Sequence, residues 1–266
     1  VIEPVWRTKP ETASRVRGRL ESVLDWADVV DLRDRNTVNP AAWRGGLEKA
    51  LPPRSKVRPV KHHPALAYAD APAFMAELRA IEAAGAYALS LTILCATRTM
   101  ETLAAEWSEI DTKQAVWTIP PQRTKSNREH RVALSRQALA VLDRVRVLSG
   151  GKGFIFPGQG TKSRHLSGMT MLKTLERMKR DTVTVHGFRA SFRTWARECT
   201  DAPHEVCEAA LGHVIQSKTV AAYARGDLLE RRRPLMQAWA DFLDRPAAGV
   251  VVDLVEAKAR ASDGGK

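Results

Sequence analysis

The sequence predicts a mainly α-helical protein with one small antiparallel β-hairpin (an α+β fold). Three observations predict it. Apolar residues recur at helical spacing through most of the chain. Two short runs of strand composition, residues 115–120 (AVWTIP) and 130–134 (HRVAL), flank a basic, polar tip. The 266 residues are 44% hydrophobic and 27% charged, an ordinary globular composition with room for one large domain or two smaller ones.

Taken in order, Thr8-Lys9-Pro10-Glu11 reads as a capping box with proline in the first helical turn. Val16, Leu20, Val23, Leu24 and Ala27 then form one apolar stripe, with Arg15, Arg17 and Arg19 toward solvent. Residues 36–40 form a turn, and 41–51 a short helix with Trp43 and Leu47 inward. The prolines of 52–64 predict an extended basic linker. Its Arg54, Lys56, Arg58 and Lys61 are either solvated or in contact with phosphates.

Helical spacing resumes at Ala71 with Phe74, Met75, Leu78 and Ile81, and 87–95 is a nearly all-apolar, buried helix. Arg98 follows, three residues before Glu101, either paired with that carboxylate or presented to a ligand by it. The hairpin tip carries Arg123, Lys125 and Arg128. Ser135 opens a helix with Leu139, Leu142, Val145 and Leu148 along one side, closed by Gly150-Gly151. The glycines of 150–160 lack the spacing of a phosphate loop. Leu172 and Leu175 face inward from 169–178, and Phe188, Phe192 and Trp195 do so from 186–198. Two short helices, 203–211 and 216–223, precede a final one capped by Asp227. Its apolar face is Leu229, Leu235, Met236, Trp239 and Phe242; its basic face is Arg231, Arg232 and Arg233. The apolar run 250–255 is too apolar for a free tail and is predicted to pack in cis.

Lysine and arginine number 42 against 30 acids, a net charge of +12 that favours a polyanionic partner, nucleic acid before membrane. Three cysteines without CxxC spacing point to reduced thiols in a cytosolic compartment and away from zinc. Eighteen consecutive apolar residues occur nowhere, so no transmembrane helix is expected. Neither a cofactor nor a metal motif is present. The chain opens on Val1 inside an element already under way, which predicts a fragment lacking its N-terminal portion.

The richest stretch is 185–227. His186 and Arg189 stand three apart at a helix start, on one face. Leu211-Gly212-His213 follows, then Tyr223 within Ala-Ala-Tyr-Ala-Arg. A guanidinium matches phosphate oxygens with a planar set of donors, and a phenol forms a covalent intermediate once its proton has an acceptor. In order and spacing these residues closely resemble the tyrosine recombinase (phage-type integrase) family, prophage integrases in particular. Upstream, Arg98-x-x-Glu101 with Leu103 and Trp107-x-x-Ile110-Asp111 matches the family's first arginine motif, except that Met100 stands where relatives often have glycine. Lys125 falls at the family's hairpin lysine, with Arg123 and Arg128 as competing assignments.

The resemblance implies a partial helical core-binding domain at 1–51, a basic linker at 52–64, a recombinase catalytic domain at 65–245 and a tail at 246–266. It implies cleavage and rejoining of double-stranded DNA at core sites through a 3′-phosphotyrosine, without cofactor or metal. The catalytic set would be Arg98, Lys125, His186, Arg189, His213 and Tyr223. Arg54, Lys56, Arg58, Lys61, Arg123 and Arg128 would be DNA contacts, and the tail would join neighbouring copies. The location would be the bacterial cytoplasm, on the nucleoid. A type IB relaxing topoisomerase, or a non-catalytic DNA-binding protein with a decayed site, are the rival readings.

Overall fold

The computed structural model describes residues 2–34, 36–57, 65–158, 165–213 and 226–246, which divide between two compact units, Val1–His62 and His63–Lys266. Arg58, Lys61, the expected helix at 216–223, Tyr223 and the tail from 247 lie outside the described residues.

The first unit holds α1 (Glu3–Thr8), α2 (Pro10–Val29) and α3 (Arg54–Val57). Pro4 and Pro10 sit in first turns, where a missing N–H costs nothing. The core is small. Trp6, Ala13 and Leu51 are buried, Trp43 stacks on Trp6 at 5.1 Å, and the Trp6 indole N–H donates to the Pro52 carbonyl at 2.9 Å.

Four local expectations are corrected here. Thr8 does not cap α2; its hydroxyl donates to the Pro4 carbonyl inside α1. The apolar stripe of α2 stays at the surface, with Val16, Leu20 and Val23 44%, 50% and 59% exposed. The returning chain packs instead on the Arg17–Glu21 side of the helix, where Arg17 donates to Glu21 and to the Ala41 carbonyl. Glu21 in turn accepts the Trp43 amide. Residues 41–51 are turns and a single 3₁₀ turn, Leu47–Lys49, because Gly45 takes φ +73° and breaks any helix there. Finally, Arg54–Val57 is helical rather than extended, since Pro52-Pro53 precede it and prolines there obstruct nothing.

The second unit is built around α5 (Ala84–Cys95), every residue of which from Gly85 onward is buried. A helix apolar on all sides needs neighbours on all sides. They are α4 (Ala71–Arg79), α7 (Arg136–Ser149), α8 (Thr170–Arg177) and α11 (Leu229–Leu243). The expected stripes are the ones that meet. Phe192 and Trp195 of α9 (Gly187–Cys199) join Trp239 and Phe242 of α11 in one aromatic cluster, with ring centroids 5.0–6.2 Å apart. The Trp239 indole N–H closes the contact on the Ile93 carbonyl of α5.

The hairpin is present as β2 (Val116–Ile119) and β3 (His130–Ala133), antiparallel, with Trp117 opposite Val132. A third strand, β1 (Ile110–Asp111), adds to β2 to give the order β1-β2-β3. Ser135 caps α7 by accepting the Ala138 amide, as expected, and Gly150 ends it in the left-handed conformation. Asp227 accepts the Leu229 amide at the start of α11. Arg232 departs from the expected basic face: it is 2% exposed, paired with Asp227 and donating to the Arg131 carbonyl. Among the described residues no helix is long and apolar enough to cross a membrane.

Candidate active site

α5 ends at Ala96 in the left-handed conformation (φ +50°), which turns the chain sharply out of the core. Arg98 is therefore placed at the start of α6 (Thr99–Leu103), half-buried. Glu101 holds it at two points: one carboxylate oxygen accepts the Arg98 amide at 2.8 Å, the other its guanidinium at 2.7 Å. The first of these is the return bond of a capping box. Glu101 itself is 1% exposed, so its charge is committed to this arginine.

Arg189, on the first turn of α9, is 5% exposed. Its guanidinium donates to the Ala96 carbonyl and, at 2.7 Å, to the Leu211 carbonyl. Burial, reinforced by the neighbouring Arg98, pushes its pKa down to about 10, still charged at neutral pH. The same guanidinium lies 3.2 Å from Nε2 of His213. Arg98 reaches the Gly212 carbonyl at 3.5 Å. Arg98 and Arg189, ninety-one positions apart in the chain, thus converge on the turn Leu211-Gly212-His213.

That turn closes α10 (His204–Ala210). Gly212 adopts φ +62°, and a β-carbon there would meet the His130 ring at 3.2 Å. His130, on β3, is pushed down to about 4 by burial and by Arg232, Arg189 and Arg98, so its ring is neutral. His213 donates its Nδ1–H to Glu208 at 2.7 Å, and the second Glu208 oxygen accepts from Nε of Arg193 at 2.6 Å. Burial opposes the charge on Glu208, but the bonds from His213 and Arg193 outweigh it and hold the carboxyl below its usual range.

His186 is exposed at the N-cap position of α9, one turn before Arg189. Lys125 and Arg128 are exposed on the hairpin loop, with no carboxylate partner among the described residues. Arg123 is differently placed: its guanidinium pairs with Glu109 and donates to the Glu101 carbonyl at 3.2 Å, tying the loop to α6. Arg54 pairs with Glu11, and Lys56 is exposed. Among the described residues no group of His, Cys, Asp and Glu is placed to hold a metal ion.

Glu208, Arg193 and His130 escaped the sequence reading. The only signal for Glu208 is a carboxylate five residues before His213, a spacing that no helix face joins.

Residues 65–228 match the phage integrase family, and residues 1–46 match the phage integrase central domain. This chain belongs to the phage integrase family. Relatives in Escherichia coli K12 include the prophage integrase IntA, 41% identical over 60% of this chain and 39% of its own length. Another is the prophage integrase IntZ, 34% identical over 91% and 58%. The integrase of enterobacteria phage P4 is 31% identical over 89% and 56%. The chain thus spans roughly two fifths to three fifths of the length of these relatives. Among solved structures, a lambda integrase dimer bound to a COC′ core site superposes with a TM-score of 0.54. It is 19% identical and covers 83% of this chain and 75% of that one. The Tn1549 transposon integrase in complex with circular intermediate DNA gives 0.57 at 14% identity, covering 81% and 75%. At such identities the likeness establishes the family fold.

Proposed function

We propose that this phage integrase family member cleaves and rejoins double-stranded DNA at specific sites through a 3′-phosphotyrosine on Tyr223. The observation that carries the reading is the convergence of Arg98, Arg189 and His213 on one turn. Two guanidiniums and an imidazole side by side suit the non-bridging oxygens of a phosphodiester. The names of the relatives, prophage and phage integrases, support the same class of reaction.

In the proposed step the phenolic oxygen of Tyr223 attacks phosphorus while the bond from phosphorus to the 5′-oxygen breaks. A phenol has an ordinary pKa of about 10, so its proton must be taken, and His186 is the acceptor assigned. Lys125 delivers a proton to the departing 5′-oxygen, a poor leaving group without one. Arg98, Arg189 and His213 stabilise the charge on the equatorial oxygens, where positioning and electrostatics do most of the work. Attack by the 5′-hydroxyl of another strand reverses the step and conserves the bond without ATP. Arg54, Lys56, Arg58, Lys61 and Arg128 are assigned to the DNA backbone, and Arg123 to the loop that carries Lys125. The lambda integrase dimer and tetramer on DNA support self-association, and the tail from 246 is the segment assigned to it. A bacterial, nucleoid-associated location goes with this reading.

A nicked suicide duplex tests it, because loss of the short leaving strand traps the covalent adduct. The wild-type chain should form the adduct, and Tyr223→Phe should bind the same DNA without forming it. An adduct persisting in Tyr223→Phe would refute the nucleophile. Relaxation of supercoiled DNA with no joining of two duplexes would assign the chain to the relaxing topoisomerases instead.

A further inference from the structure

We infer that Glu208 is a positioning residue for strand cleavage, orienting His213 and stabilising its protonated form; this rests on the reading that His213 meets the scissile phosphate. A carboxylate only accepts hydrogen bonds, so the 2.7 Å contact from Glu208 places a proton on Nδ1 of His213. On the other side of the ring, Nε2 lies 3.2 Å from Arg189, whose guanidinium has donors alone. In this arrangement Nε2 therefore offers its lone pair, and the ring is the neutral Nδ1–H tautomer.

That tautomer has no proton for a phosphate oxygen. His213 becomes a donor only when Arg189 turns its N–H to the phosphate and Nε2 takes up a proton in its place. The imidazolium then stands among cations: Arg189 and Arg193 from α9, and Arg98 from α6 across the Gly212 carbonyl. His130, from β3 behind Gly212, is neutral and offers it no countercharge. Glu101 is already engaged with Arg98. Glu208 is the anion in direct contact with the ring. Arg193, at 2.6 Å from its second oxygen, holds the carboxylate from the side away from Nδ1 of His213. The contact also accounts for a half-buried acid at the end of α10 that the proposed chemistry otherwise leaves without a task.

The test measures the rate of adduct formation on the nicked suicide duplex at saturating DNA, across pH. It uses Glu208→Gln, His213→Gln and the double variant of the full chain. Glu208→Gln should lower the rate by roughly 10–100-fold, the range seen when the carboxylate orienting a metal-bound imidazole is lost. The rate optimum should move to lower pH, and DNA affinity should hold. Glu208→Asp should recover part of the loss. In the double variant, Glu208→Gln should add nothing to the loss already caused by His213→Gln. A wild-type rate and pH profile in Glu208→Gln, or losses that multiply in the double variant, would overturn the inference while leaving His213 in place. An undiminished rate in His213→Gln would overturn the underlying reading as well. If Glu208→Gln fails to fold, Arg193→Gln releases one carboxylate oxygen without touching His213. It should lower the rate in the same direction, and an unchanged rate there would count against the inference.

Discussion

The imidazole of His130 packs against Gly212, so close that a β-carbon at 212 would stand 3.2 Å from the ring. The hairpin strand and the turn presenting His213 are thereby interlocked. Gly212 is constrained twice, by this approach and by its φ of +62°. Gly212→Ala should therefore destabilise the chain by about 1–3 kcal/mol, the usual cost of a left-handed non-glycine residue. It should also misplace His213 and slow cleavage. Urea unfolding measures the first effect and the suicide-substrate rate the second. An alanine variant matching wild type in both would show that the turn is not held as described.

His130 gives a pH dependence with a definite sign. Its folded pKa is about 4, below the ordinary 6.5, because burial and the cations Arg232, Arg189 and Arg98 outweigh Glu101. As pH falls, the unfolded chain takes the proton first. The stabilisation is complete above 6.5 and is lost progressively toward 4, to a limit of about 3 kcal/mol. Wild type should lose urea resistance between pH 7 and 5 more steeply than His130→Gln. Parallel slopes for the two proteins would remove His130 as the cause.

What the sequence made legible follows from how locally each feature is determined. The all-apolar run of α5 could only be a buried helix, and Phe188, Phe192 and Trp195 recur at the spacing of one helical face. His186-x-x-Arg189 needed one helical turn. Features that depend on which partner arrives were hidden. β1 is two residues long and exists through its pairing with Trp117 and Val116. Glu208 meets His213 because Gly212 folds the chain back after α10, which no periodicity records. Arg232 looked like its exposed neighbours until Asp227 and the Arg131 carbonyl drew it inside. The α2 stripe faces solvent for the same reason, since Arg17, Glu21 and Ala41 decide which side the chain returns to.

Arg98 serves both the fold and the proposed chemistry, and the two can be separated. Arg98→Ala leaves one oxygen of the buried Glu101 without its partner, at a cost of about 1–3 kcal/mol. It should also slow cleavage by about 10²–10³-fold, as for loss of one oxyanion donor. Adding Glu101→Gln removes the orphaned charge, so stability should recover in part while the rate stays low. A rate that recovers together with stability would make Arg98 structural only.

Arg123 and Arg128 sit five residues apart on one hairpin yet should respond differently to salt. Arg123 is occupied by Glu109, which also accepts the Trp117 indole at 2.9 Å, and by the Glu101 carbonyl. Arg128 is exposed, with no carboxylate partner among the described residues. Each phosphate neutralised contributes about 0.9 to the slope of log affinity against log salt. Arg128→Gln should reduce that slope by about one such unit, with little change in stability. Arg123→Gln should leave the slope as it is and lower the urea midpoint, because it unpairs Glu109, whose carboxyl burial already pushes upward against the bonds from Trp117 and Arg123. Titrations of DNA binding over salt give both slopes. If Arg123→Gln lost the unit of slope and Arg128→Gln did not, the guanidinium held inside the protein here would be the one that leaves Glu109 for DNA.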